Sequence, residues 1–155
     1  MILQNILNAK GEQVHCIGPE ASLDDVVQLL VRWKIGALVV CEEFRGEQPR
    51  VLGIVTERDV LRTQAMRRDP ITRVRVREVM SSNLITASPD DRIEDAMQWM
   101  TEHRVRHLPI VVGNRLFGIV SIGDVVKRLH DQLARDNFFL QSYIRGEATQ
   151  SVDRE

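Results

Sequence analysis

The sequence predicts an α+β fold in which two β-α-β-β-α repeats pack through their sheets with pseudo-twofold symmetry. The first observation is an internal repeat: residues 116–127 carry the apolar run, hydroxyl residue and acid of residues 51–62, at a spacing of 65 positions. The second is that strand-like and helix-like apolar spacings follow the same order in both halves. The third is size, because a repeat of about 60 residues buries little surface alone and needs a shared core.

In the first repeat, apolar spacing and helix-start residues define the elements. Ser22 is a good N-cap residue, two aspartates in the first turn complement the helix dipole, and Gly36 is a natural stop. The predicted order is a helix over 2–8, a strand over 14–17, a helix over 23–34, strands over 37–41 and 51–55 separated by a polar loop over 42–50, and a helix over 56–67.

The second repeat follows a linker over residues 69–75. Gly113 and Asn114, between two apolar runs, are typical of a tight hairpin turn. The predicted elements are a short helix over 76–80, a strand over 84–86, a helix over 92–102, strands over 107–112 and 116–120, and a helix from Ser121. We divide the chain into a first repeat with its N-terminal helix (1–68), the linker (69–75), a second repeat (76–130), and a C-terminal helical extension with a frayed tail (131–155).

The last helix is expected to be longer than its counterpart in the first repeat. Apolar residues continue beyond the second repeat at Leu133, Phe138, Phe139, Leu140, Tyr143 and Ile144. This extension could fold back onto its own domain. We favour an intersubunit role, because an exposed apolar helix must be covered by something. A homodimer is therefore the expected assembly.

Composition argues against several classes of protein. The 155 residues are 43% hydrophobic and 28% charged, which is ordinary globular usage. The net charge of −1 provides no general field for nucleic acid. Cys16 and Cys41 lack metal-site spacing, so buried, reduced thiols are expected. No apolar stretch approaches membrane length and the N-terminus lacks a secretory pattern, so no membrane association is expected and the cytoplasm is the expected location.

The repeated hydroxyl–acid motif has two interpretations. Thr56 with Asp59, and Ser121 with Asp124, have the spacing of a capping box, and helix capping alone would explain either pair. A helix N-terminus just past a strand is also an anion site, because its backbone N–H groups and dipole attract negative charge. The hydroxyl can join those donors around a phosphate. The carboxylate can accept two hydrogen bonds from a ribose diol.

Positive side chains near the motifs favour a phosphorylated ligand. Arg58 lies inside the first motif, and Arg104, Arg106 and His107 precede Pro109 at the start of a predicted strand. Arginine makes bidentate contacts with phosphate. Each of these arginines could instead be solvated, as most surface arginines are.

Several stretches resemble the CBS domain, which is named for cystathionine β-synthase. In the second repeat these are RHLPI (106–110) and LFGIVSIGDVV (116–126), and in the first IGALVV (35–40) and LGIVTERD (52–59). The similarity covers about residues 2–130. It implies a tandem pair, called a Bateman module. Such modules often dimerise into a flat disc and bind adenosine derivatives: AMP, ADP, ATP, NAD or S-adenosylmethionine.

The resemblance also implies roles for individual residues. Asp59 and Asp124 would hold ribose hydroxyls, and Thr56 and Ser121 would face phosphate or ribose. The residues implied to flank adenine are His15, Cys16, Ile85, Thr86, Ala37 and His107. The basic residues implied to approach phosphate are Lys34, Arg104 and Arg106, and Arg58 and Pro109 complete the predicted site. Because Gly36 and Ala37 stand where the second repeat has Arg106 and His107, the two pockets are expected to differ in charge.

No catalytic motif accompanies these features. The sequence contains no nucleophile elbow, Walker loop or GxGxxG pattern, so neither enzyme activity nor a catalytic cofactor is expected. His103 and His107 are four apart, but the helix should end between them, and no metal site is expected. The leading hypothesis is a regulatory module in which an adenine nucleotide bridges the repeats and signals energy or cofactor state to an unidentified partner. The alternative is a constitutive dimerisation module with vestigial pockets.

Overall fold

The helices and strands follow the order predicted for two repeats, in a computed structural model that describes residues 1–11, 14–42 and 49–145. They are α1 (Leu3–Lys10), β1 (Cys16–Ile17), α2 (Leu23–Trp33), β2 (Ala37–Glu42), β3 (Arg50–Thr56), α3 (Glu57–Met66), α4 (Val76–Val79), α5 (Ile93–Glu102), β4 (His107–Val112), β5 (Arg115–Ser121) and α6 (Ile122–Ile144). The predicted α+β fold is confirmed.

A five-stranded sheet with the order β1-β2-β3-β5-β4 joins the repeats. The pairs β2–β3 and β4–β5 are antiparallel, and β1 runs parallel to β2. Between the repeats, β3 and β5 are in register at Arg50 and Arg115 alone among the described residues. Each repeat therefore keeps its own half-sheet, and the two half-sheets meet at one end. A small apolar cluster that includes Val39, Val51 and Leu116 packs between them.

The short helices that precede the two repeats are exchanged in space. Leu3 and Ile6 of α1 pack in the core of the second repeat with Leu108. Val74 and Val76, before and within α4, pack in the core of the first repeat. The predicted linker therefore supplies a core residue, because Val74 is only 1% exposed. The chain crosses between the repeats twice, which ties them together.

Close packing at two equivalent glycines locks these short helices onto the sheet. A Cβ atom at Gly53 would lie 2.8 Å from the carbonyl oxygen of Ser81 and 2.9 Å from Met80 Sδ. A Cβ atom at Gly118 would lie 2.6 Å from Leu7 Cδ2. Glycine at both positions permits this close approach, to the end of α4 and the residue after it at Gly53 and to α1 itself at Gly118.

Most predicted boundaries agree with the structure, but one strand is wrong. Residues 84–86 form no strand, because the only ladder contact at this place is a parallel bridge between Ala87 and Ile110. Pro89 follows two residues later and the chain turns there, so the bridge is not extended. The helix predicted over 2–8 extends to Lys10. The turn at Gly113 and Asn114 is confirmed, with φ angles of 56° and 65° that suit a two-residue hairpin.

The predicted loop over 42–50 is shorter than expected, because Glu42 and Arg50 belong to strands. Residues 43–48 of that loop, and the predicted tail from residue 146, lie outside the described residues. The last helix is longer than its counterpart, as predicted: α6 has 23 residues and α3 has 10. No helix in the described ranges has the length and hydropathy needed to cross a membrane.

Candidate functional site

Both repeated motifs form capping boxes where a strand passes into a helix. Asp59 Oδ2 accepts hydrogen bonds from the Thr56 N–H at 2.8 Å and from the Thr56 hydroxyl at 3.1 Å. Asp124 Oδ2 accepts from the Ser121 N–H at 2.8 Å, and the Asp124 N–H donates to Ser121 Oγ at 3.2 Å. The capping interpretation is therefore confirmed at both sites. The same geometry holds each carboxylate at the positive end of a helix dipole.

A cleft of about 250 Å³ opens beside the first motif, between the two repeats. The predicted site residues that line it are Thr56, Arg58, Asp59, Ile85, Arg104, Arg106, His107 and Pro109. The cap that ends β3 in one repeat thus faces the start of β4 in the other. The arrangement brings a carboxylate, a hydroxyl and several cations around a space that a small ligand can enter.

The charge balance of this cleft favours an anion. Its arginines are Arg58, Arg62, Arg104 and Arg106, and its carboxylates are Glu57 and Asp59. Arg104 adopts a left-handed conformation with φ of 53°, which ends α5 and turns the chain toward β4 beside the cleft. The Asp59 side chain is only 11% exposed, and its Oδ1 lies 3.8 Å from Arg62 Nη1. Because capping uses Oδ2, Oδ1 can accept a further hydrogen bond.

His107 is a half-buried base between the two repeats. Burial lowers the pKa of its imidazole, and the nearby positive charge of Lys10 lowers it further, against an opposing effect of Glu57. A Cβ atom at Gly36 would lie 3.5 Å from His107 Cε1. The imidazole therefore packs against the start of the neighbouring repeat, in the wall of the cleft.

The second motif has a partner that the sequence did not predict. Lys10, at the end of α1, donates a hydrogen bond to Asp124 Oδ2 at 2.8 Å and to the carbonyl oxygen of Ile119 at 3.2 Å. Burial would raise the pKa of the Asp124 carboxyl, but the hydrogen bonds from Lys10 and from the Ser121 N–H outweigh burial and lower that pKa. The two motifs are therefore alike in their caps and different in their surroundings.

The remaining predicted residues do not line the 250 Å³ cleft. The His15 ring stacks on Trp33, with ring centroids 4.3 Å apart. Cys16 Sγ lies 3.4 Å from Cys41 Sγ. Lys34 caps α2 in a left-handed conformation with φ of 52°.

Two further predicted residues occupy positions set by the sheet. Ala37 is buried and in register with Thr56, so it lies directly beside the first cap. Thr86 is exposed in the irregular segment before Ala87. The structure therefore places Ala37 next to the cleft and Thr86 away from its lining.

Several residues of the cleft were missed by sequence analysis. They are Gly36, Ile54, Glu57, Arg62, Ser81, Asn83, Leu84 and Val105. Arg62 could have been found, because it is three residues beyond Asp59 on the same helical face. Ser81 and Asn83 carried no periodic signal, and only the exchange of the short helices brings them there.

A larger cavity of about 610 Å³ lies elsewhere, beside α1 and β5. Its described lining includes Gln4, Asn8, Cys16 and Phe117 and contains no charged side chain. A phosphate placed there would lack a cationic partner among those residues. The smaller cleft beside Asp59 is therefore the better candidate for an anionic ligand.

The metal interpretation of His103 and His107 has no support in the geometry. The helix α5 ends at Glu102, and the left-handed Arg104 separates the two histidines. Within residues 1–11, 14–42 and 49–145, no group of three His, Cys, Asp or Glu side chains is placed to hold a metal ion.

The repeats, the exchanged short helices and the paired caps define a known class of protein, and comparison with known proteins identifies it. The profile of the CBS domain matches twice, at residues 11–66 and 76–131. The chain belongs to the CBS-domain family and contains a tandem pair of these domains. The resemblance found in the sequence is confirmed.

Individual relatives agree with this assignment. The chain is 34% identical over 141 residues to the mitochondrial CBS domain-containing protein CBSX3 of Arabidopsis thaliana, covering 90% of this chain and 67% of that protein. The crystal structure of the CBS-domain containing protein ATU1752 from Agrobacterium tumefaciens is 35% identical and superposes with a TM-score of 0.75, covering 81% of this chain and 91% of that one.

A CBS domain pair with the same fold has been crystallised with ligands. The CBS domain pair of protein MJ0100, in complex with 5-methylthioadenosine and S-adenosyl-L-methionine, is 21% identical and superposes with a TM-score of 0.73. The alignment covers 85% of this chain and 98% of that one. At this identity the likeness shows the shared fold.

Proposed function

We propose that this chain is a non-catalytic regulatory module that binds an adenine nucleotide of the AMP, ADP, ATP or NAD type in the cleft between its two CBS repeats. Binding signals energy or cofactor state to a partner protein. The observation that carries this proposal is the composition of the cleft, where the Thr56–Asp59 cap of one repeat faces Arg104 and Arg106 of the other.

Each part of a nucleotide has a matching group in this cleft. The ribose diol donates to Asp59, whose Oδ1 is not used by the cap. The phosphate lies among the arginines and the N-terminus of α3. The base lies against the apolar wall formed by Ile54, Ile85 and Val105. Adenosine-type ligands in the MJ0100 pair support this class of ligand.

Regulation follows from the position of the cleft between the repeats. A nucleotide that contacts both repeats favours the arrangement in which both sets of groups can reach it. The ligand shifts the population only by its difference in affinity between two arrangements. The partner protein recognises the favoured arrangement.

The assembly that we propose is a homodimer through α6. Its C-terminal half exposes Leu133, Phe138, Phe139, Leu140, Tyr143 and Ile144, each at least 60% exposed. Val126, Leu133 and Leu140 recur every seven residues, which places them on one helical face. This exposed apolar face also favours the second candidate function, in which the chain is a constitutive dimerisation module.

Calorimetric titration separates the two functions. The protein is titrated with AMP, ADP, ATP, NAD and S-adenosylmethionine, and the sensor function predicts saturable heat with at least one nucleotide. Asp59→Asn removes the charged acceptor for the ribose diol. Hydrogen bonds to a charged group contribute about 1.5–3 kcal/mol, so the substitution should weaken binding by about 10- to 100-fold.

Asp25→Asn is the matched control. Asp25 caps α2 with the same geometry, because its Oδ2 accepts from the Ser22 N–H at 2.9 Å, but it does not line the cleft. Both variants lose a capping carboxylate, and only Asp59→Asn should lose affinity. Equal affinities for the two variants would rule out the ribose role. Absence of heat with every ligand would leave the dimerisation function.

A further inference from the structure

The residues around the acid of each motif differ between the two repeats. The difference is a lysine, Lys10, which is present beside the second motif only. In the first repeat, α4 ends before Met80, and the extended chain pairs with β3. The Ser81 N–H donates to the carbonyl oxygen of Ile54 at 2.9 Å, and the Ile54 N–H donates to the carbonyl oxygen of Ser81 at 3.0 Å. The short helix is thus followed by backbone pairing, which leaves Asp59 open to the cleft.

In the second repeat, the equivalent helix α1 continues for an additional turn. Its Leu7 packs on Gly118 as Met80 packs on Gly53. The helix then extends to Lys10, whose ammonium group donates to the carbonyl oxygen of Ile119 at 3.2 Å. Ile119 is the counterpart of Ile54, so the same carbonyl accepts from backbone in one repeat and from a lysine in the other.

The same ammonium group also forms an ion pair with the acid of the second motif. Lys10 Nζ lies 2.8 Å from Asp124 Oδ2, the counterpart of the oxygen that caps α3 in the first repeat. The Asp124 side chain is 24% exposed and that of Lys10 is 38% exposed, so the ion pair is partly shielded from water. Such shielding makes the contact harder to displace than a fully exposed ion pair.

We propose that Lys10 is a built-in occupant of the second nucleotide site, which makes the chain bind one nucleotide, at Asp59, instead of two. The inference rests on the proposed function, because it concerns the equivalent of the proposed ribose acid. Lys10 donates to Asp124 Oδ2 at 2.8 Å, so a ribose diol at Asp124 must share the carboxylate with this charged donor or displace it. The cation beside Asp59, Arg62, lies 3.8 Å from Oδ1, which is beyond hydrogen-bond distance. We expect the second site to be weaker by about tenfold or more.

The test is calorimetric stoichiometry with ATP and with AMP. The wild-type chain should bind one nucleotide, Asp59→Asn should weaken that binding by about 10- to 100-fold, as expected above, and Lys10→Met should bind two. The double variant with Lys10→Met and Asp124→Asn should return to one. Lys127→Met is the matched control, because Lys127 is exposed beside the same acid and its removal should leave the stoichiometry at one.

Each alternative outcome is distinct. Two equivalent sites in the wild-type chain, or undiminished nucleotide affinity in Asp59→Asn, would overturn the role of Lys10 and leave the nucleotide function standing. Weaker binding in the Lys10→Met protein would identify Lys10 as a ligand of the nucleotide, which also overturns the proposal. No heat in any of the proteins would overturn both. If Lys10→Met does not fold, the wild-type stoichiometry and the Asp59→Asn affinity still decide.

Discussion

Replacing Gly53 with alanine should both destabilise the protein and distort the cleft. The new Cβ atom would lie 2.8 Å from the Ser81 carbonyl oxygen and 2.9 Å from Met80 Sδ, both shorter than ordinary van der Waals contact. The backbone of Ser81 cannot move away freely, because it is paired in both directions with Ile54. Overpacking of this kind costs about 1–3 kcal/mol.

About 0.4–1 kcal/mol of that cost is offset, because the unfolded chain is less flexible with alanine than with glycine at this position. We therefore expect Gly53→Ala to lower the free energy of unfolding by about 1–2 kcal/mol. For a chain of this length, that corresponds to a fall in Tm of roughly 2–8 °C. Circular dichroism during thermal unfolding measures the shift, and because Ser81 lines the cleft, nucleotide affinity should also fall.

Gly118→Ala is the matched control at the equivalent position. Its Cβ atom would meet the tip of the Leu7 side chain, which can rotate, and no backbone atom within the same distance. The expected loss is smaller, under about 1 kcal/mol. If Gly118→Ala destabilised the protein as much as Gly53→Ala, the distinction between a paired backbone and the tip of a side chain would be wrong.

Two further predictions concern pH and assembly. Because burial lowers the pKa of His107 below its ordinary value of 6.5, the unfolded chain binds this proton more readily than the folded one. The contribution of His107 to stability is therefore fully present above pH 6.5 and is lost as pH falls through the lowered pKa. Urea unfolding between pH 5 and 8 should show this slope, and His107→Gln should reduce it; an unchanged slope would contradict the assignment. Leu140→Glu should dissociate a dimer formed through α6 in sedimentation equilibrium, whereas Gln141→Glu, which adds the same charge beside it, should not; a monomeric wild-type chain would contradict the α6 interface.

The parts of the fold that were predictable from sequence depend on neighbours in the chain. The caps at Thr56 and Ser121 follow from a hydroxyl and an acid three residues apart, and both form as expected. The hairpin turn at Gly113 and Asn114 follows from two residues that tolerate positive φ. Apolar periodicity then sets the longer helices and strands, because the burial of one face depends on spacing alone.

The parts that were not predictable depend on contacts between distant residues. The strand expected over 84–86 has suitable residue types, but only Ala87 reaches a partner strand. The pairing of Lys10 with Asp124 joins residues that are 114 positions apart. No local pattern distinguishes that lysine from a solvated one, and its position depends on the exchange of α1 into the second repeat.

The candidate site could be predicted from the sequence only in part. The resemblance named Thr56, Arg104 and His107 individually, but it did not say which motif faces which strand start. The cleft combines the acid of the first repeat with the arginines of the second. That combination is a property of how the half-sheets meet, and it needs the three-dimensional arrangement.

If the half-sheets rotate about their joint at Arg50 and Arg115, a small angle is enough to change the width of the cleft. This joint is at the beginning of β3, and the cleft is at its other end, beside Thr56. Strands rise about 3.3 Å per residue, so the cleft lies roughly 20 Å from the pivot. A widening of about 1 Å where a nucleotide lies therefore corresponds to a rotation of only about 3° at the joint. Because the Ile122 N–H donates to the carbonyl oxygen of Arg106, α6 begins beside the cleft wall, and a rotation of the second half-sheet carries the start of α6 with it.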